Sequence, residues 1–91
     1  MQDYSEYPPV KYFTRVLKTC PKSAYLYVQI WKNKGKYDTL IVQKKDVRKE
    51  HLISPTMFRN LLAPLMLLNL LNFRESEDKI QIDFMGAHLN D

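Results

Sequence analysis

The side chains in this sequence that could do catalytic chemistry are few, and their spacing supports little of it. His51 and His88 stand 37 positions apart, Cys20 is the single cysteine, and there is no CxxC or HExxH, so no ligand set for a metal emerges. Gly35 and Gly86 are the two glycines, which leaves nothing to build a glycine-rich phosphate loop. Serine, histidine and aspartate occur, but nothing in the sequence gathers them into a nucleophilic triad. The acid pair Glu77-Asp78 lies in a polar turn-forming stretch and reads as solvated. The expectation is a protein with no enzymatic activity, no cofactor, no metal and no small-molecule ligand.

Charge is more informative than catalysis. The net charge is +4, yet residues 10–49 alone carry eleven bases (from Lys11 and Arg15 through Lys44, Lys45, Arg48 and Lys49) against Asp38 and Asp46, a local +9. Residues 1–9 are −2 and residues 50–91 are −3. A basic half joined to an acidic half offers one face to a polyanion and another to something else. The plainer alternative is a solvated lysine surface, and Lys32, Lys34 and Lys36 around a loop fit that alternative better.

These residues must be positioned by a single domain, because 91 residues fall within the usual domain range. With 45% hydrophobic and 26% charged residues the chain is too apolar for disorder, and two glycines argue against an all-β fold rich in tight turns. One cysteine cannot form an internal disulfide, which suits a reducing compartment. The opening MQDYSEYPPVK has no apolar h-region and does not read as a signal peptide. The longest uncharged run, Asn60 to Phe73, has 14 residues, short of the roughly 20 needed to span a bilayer. A cytoplasmic or nucleoid-associated protein with no membrane partner is expected.

Residues 1–9 read as an extended arm around Pro8-Pro9, residues 10–84 as the folded domain and residues 85–91 as a tail. Val10 to Leu17 fits either a short strand or a helical turn. Cys20-Pro21-Lys22-Ser23 looks like a helix entry, and Ala24, Tyr27, Val28 and Trp31 follow i, i+3, i+4, i+7 spacing up to a glycine stop at Gly35. Tyr37 to Gln43 is β-rich, and Lys45 to Leu52 reads as a second helix. Ser54 then has the character of an N-cap with Pro55 at the first helical position. The helix that follows carries Phe58, Leu61, Leu62, Leu65 and Leu68 on one face. Pro64 should bend it or end its first half, and Asn69 can supply a left-handed cap. Leu70 to Arg74 and Lys79 to Phe84 read as two strands joined through Glu75-Ser76-Glu77-Asp78.

The order helix, strand, short helix, turn, helix, hairpin resembles the winged helix-turn-helix family, on AYLYVQIW (24–31), TLIVQKKDVRKEHLISPTMFRNLLAPL (39–65) and LLNLLNFRESEDKIQIDF (67–84). The nearest variety is that of replication-initiator-like and phage or plasmid regulator domains. The resemblance implies an α+β fold of about three helices with a small antiparallel sheet carrying the wing. It also implies double-stranded DNA as partner, with Thr56, Arg59 and Asn60 on the base edges. Lys44, Lys45, Arg48, Lys49 and Ser54 then fall on phosphates, with Arg74 and Lys79 on the wing. The family also serves as protein-interaction modules, and a leucine-rich surface with an acidic wing would suit that role. Successive helical residues point about 100° apart, so Leu67 and Leu68 cannot share one face. Leu68 belongs with the core face and Leu67 with the exposed one, and the pair is the candidate homodimer interface.

Overall fold

The computed structural model describes residues 7–85; the arm's first six residues and the tail from Gly86, with Tyr4 and His88, lie outside the described residues. The ambiguous run is helical: α1 spans Val10–Thr19 and buries Tyr12 and Val16, one turn apart, against the core. Its start is held by the Pro9 carbonyl, which accepts from the N–H groups of Tyr12 and Phe13, both at 3.0 Å. The described residues therefore hold four helices rather than about three, with one 3-10 turn at Pro21–Ser23 between the first two. Ser23 in that turn is buried and its hydroxyl donates to the Leu61 carbonyl at 2.7 Å. That bond fastens the start of α2 (Ala24–Lys34) to the middle of α4 (Pro55–Leu67).

Helix α2 is the central one, with Leu26, Tyr27, Ile30 and Trp31 buried. It stops at Gly35, whose φ of +62° is the conformation that a glycine adopts without steric cost. Lys34 corrects the expectation of a solvated lysine loop, being 5% exposed. Its Nζ lies 4.0 Å from the Trp31 ring centroid and 5.4 Å from that of Phe84, and donates to the Gly35 carbonyl at 3.1 Å. The aromatic faces and the carbonyl replace the water that a lysine head normally keeps. Burial pushes its pKa down, with Asp38 pulling the other way.

Strand β1 (Thr39–Gln43) leads directly into α3 (Lys44–His51), and α4 is followed by the hairpin β2 (Leu71–Glu75) and β3 (Lys79–Phe84). The three strands form one antiparallel sheet in the order β1-β3-β2. Ile80, Ile82 and Phe84 alternate with Lys79, Gln81 and Asp83, so one sheet face is apolar and packs on the helices. The hairpin loop is shorter than the sequence suggested. Glu75 belongs to β2 and pairs with Ile80, and the Ser76 N–H closes the loop on the Lys79 carbonyl at 2.9 Å.

Helix α4 begins as its sequence dictates, with the Ser54 side chain accepting from the Met57 N–H at 3.1 Å and Pro55 at the first position. Pro64 does not end the helix, which continues to Leu67; the proline's own carbonyl still accepts from the Leu68 N–H at 3.1 Å. The stop comes at Asn69, φ +63°. There the Leu70 N–H reaches back to Leu65 and the Asn69 N–H to Met66, the two bonds of a Schellman cap. Phe58, Leu62 and Leu65 supply the buried face of α4, Leu68 is half-buried against the same core, and Leu67 is 80% exposed. Among the described residues no helix is long and apolar enough to cross a membrane.

Candidate functional site

Helix α3 buries Val47 and His51, one turn apart, and so turns the opposite side to solvent. Lys45, Arg48 and Lys49 occupy that side at i, i+3 and i+4 spacing and are all exposed. None of the three has an ion-pair partner among the described residues. The turn from α3 to α4 is Leu52-Ile53-Ser54, and it brings the first turn of α4 beside α3. Over the first two turns of α4, Thr56, Arg59 and Asn60 are exposed while Phe58 is buried. The Ser54 hydroxyl, expected on a phosphate, accepts the helix-cap bond on one lone pair and keeps its O–H free to donate.

Lys44 and Arg59 are brought together by a residue the sequence reading left on a loop. The Lys44 Nζ lies 2.6 Å from one oxygen of Glu75, and Arg59 donates to the other at 3.3 Å. Strand alternation explains the reach. Leu71, Phe73 and Glu75 share the side of β2 that faces the helices, whereas Asn72 and Arg74 face away. The hydrogen bond from Lys44, with Arg59 adding to it, holds the Glu75 carboxyl below the usual carboxylate range.

By the same alternation the two bases expected on a wing are not gathered with α4. Arg74 stands opposite Gln81 and Lys79 opposite Gln43, on the outer face of the sheet. The candidate site thus divides. Lys45, Arg48, Lys49, Thr56 and Asn60 form an open polar surface on α3 and the start of α4. Lys44 and Arg59 are tied to the hairpin at its margin, and Arg74 and Lys79 lie elsewhere. Among the described residues no group of three His, Cys, Asp or Glu side chains is placed to hold a metal ion.

His51 is a residue whose environment the sequence did not disclose. It is 7% exposed, its Nδ1 is 2.9 Å from the Gln29 side-chain oxygen, and its ring packs on Phe58 with centroids 5.1 Å apart. Nε2 is buried and has no hydrogen-bond partner among the described residues. The i, i+4 spacing from Val47 was the available signal, since it places His51 on the buried face of a helix whose remaining side chains are all charged.

No family model matches the chain, and no curated protein or solved structure matches it.

Proposed function

We propose that this protein is a winged helix-turn-helix domain that binds double-stranded DNA, in the service of transcription regulation or as an accessory to replication or a mobile element. The observation that carries the reading is the exposed basic stripe Lys45, Arg48 and Lys49 beside the Ser54-capped first turn of α4. In such a domain α3 lies across the phosphates and α4 enters the major groove by its N-terminal turn. The sheet order β1-β3-β2, with the two helices between β1 and the hairpin, agrees with that architecture. Capture is electrostatic, through counterion release by α3. Thr56 and Asn60 then meet base edges, and Arg59 joins them when it leaves Glu75.

A second reading, a protein-interaction module, draws on two observations. Glu75 already pairs with both Lys44 and Arg59, and Leu67 presents an 80% exposed leucine at the end of α4. Mobility of a labelled duplex at low salt, with and without excess competitor duplex, separates the two. Retarded DNA that is competed away supports the first reading, and an unshifted duplex leaves the second. Within the DNA reading, Lys45→Ala should weaken all sequences alike, while Arg59→Ala should cost about 1–3 kcal/mol on a selected site and relax one base pair.

A further inference from the structure

Strand β1 is an edge of the sheet, and its outer side is unguarded. The Lys44 N–H donates to Asp78 at 2.9 Å and the Phe84 N–H to Asp38 at 2.8 Å, so residues 38, 40, 42 and 44 turn their backbone groups toward β3. Thr39, Ile41 and Gln43 therefore turn theirs outward. The Gln43 carbonyl serves α3, for which Gln43 is the N-cap. The N–H and carbonyl of Thr39 and Ile41, and the N–H of Gln43, have no backbone partner among the described residues. Natural sheets protect such an edge with charge, proline or a covering element, and TLIVQ contains neither a charge nor a proline. Nor is the edge covered. A cleft of about 550 Å³ between α2 and α3 opens along Leu40–Gln43, and a second cavity touches Thr39 and Ile41. Ile41 is 51% exposed.

We infer that β1 is a self-association edge: two copies of this chain pair β1 with β1, antiparallel, about a two-fold axis at Ile41, to give one six-stranded sheet. The sequence of the strand fits a second copy in this register. Ile41 meets Ile41, Leu40 meets Val42 on the core side, and Thr39 meets Gln43 on the outer side, so like chemistry faces like at every step. Just beyond the strand ends, where Asp38 and Lys44 still bond to the ladder, the same register sets the Asp38 carboxylate opposite Lys44, whereas a parallel pairing would set each charge against its own kind. Such an interface is isologous and closes after two copies. A seam of five residues is at the small end of interface sizes, so the dimer is concentration-dependent. It lies apart from the α3–α4 surface and does not depend on what that surface binds.

Sedimentation equilibrium of the full chain over a concentration series, beside the variants Ile41→Lys and Ile41→Glu, tests this. The wild-type chain should shift from monomer to dimer mass as concentration rises. Each variant alone should stay monomeric, because two like charges meet on the axis, and an equimolar mixture of the two should regain the dimer. Thermal melts at high dilution should match wild type, since the side chain is already half in solvent. Ile41→Pro, which removes an outward N–H and leaves the bonds to β3 intact, should also be monomeric. A wild-type chain that stays monomeric throughout, or one that grows into open-ended aggregates, would overturn the proposal. So would a dimer that survives Ile41→Lys and Ile41→Pro but dissociates in Leu67→Glu, which would put the interface on α4.

Discussion

Arg59 on the second turn of α4 and Glu75 at the end of β2 are joined at 3.3 Å, across sixteen positions of sequence. Lys44 at the start of α3 shares the same carboxylate at 2.6 Å. One acid thereby ties both α3 and α4 to the hairpin and withholds two bases from any polyanion. Surface ion pairs contribute little to stability, so the larger consequence is for binding.

Glu75→Gln should therefore leave the thermal melt nearly unchanged and strengthen duplex binding several-fold. Two bases become available, so the slope of log affinity against log salt should steepen by about one to two. The Glu75 pKa is depressed, so the carboxylate keeps its partners at neutral pH and loses them only as pH falls through that lowered value. Titrating binding against pH in wild type and variant checks this. Weaker binding in Glu75→Gln would mean that the carboxylate positions Arg59 rather than restraining it.

His51 makes the fold sensitive to mild acid. Its pKa is lowered from 6.5 by burial, with Glu50 opposing, so the unfolded chain binds the proton more readily than the folded one. The stabilising contribution is then fully present above 6.5 and is lost as pH falls through the lower folded value. Thermal melts from neutral pH downward should show a falling midpoint, and His51→Leu should flatten that slope. An unchanged slope in the variant would assign the pH dependence to another group.

The leucines of α4 separate packing from surface. Leu65 is fully buried, and Leu65→Ala should cost about 2–5 kcal/mol, a large part of the stability of so small a domain. Leu67→Glu should leave the melt unchanged, because that side chain is 80% exposed. Chemical denaturation of both variants reads the difference directly, and a collapsed melt in Leu67→Glu would contradict the placement.

Leu52 holds the turn between α3 and α4 in a left-handed conformation, φ +63°, while 83% exposed. A side chain there works against the backbone by about 1–2 kcal/mol, and one so exposed gains little burial in return. Leu52→Gly should raise stability by about 1 kcal/mol, less the extra freedom glycine has when unfolded. A lower denaturation midpoint would show that the leucine makes contacts that this exposure conceals.

Local signals in the sequence carried well where the physics is local. Ser54-Pro55 marked the start of α4, Gly35 and Asn69 marked two helix ends, and the alternation of Ile80, Ile82 and Phe84 marked β3. The phase that buried Leu65 also exposed Leu67. What could not be read depended on distant partners. VKYFTRVL fits a strand or a helix until Tyr12 and Val16 meet a core, and Lys34 looks solvated until Trp31 and Phe84 close over it. Leu52 gives no sign of a left-handed turn, because leucine there is imposed by the packing on either side. Glu75 reads in the sequence as one acid of the connection between two strands, but its role as the common partner of Lys44 and Arg59 needs the hairpin folded back on α4. The split of the candidate site follows from this, since Arg74 and Lys79 alternate onto the other face.

The salt dependence of duplex DNA binding tests the central proposal most directly. If Lys45, Arg48 and Lys49 contact phosphates together with other bases, about five in all, the slope of log affinity against log salt should be roughly −4 to −5. Lys45→Ala should reduce its magnitude by about one. A flat response to salt, or a duplex that does not bind at low salt, would contradict a DNA-binding surface on α3 and α4.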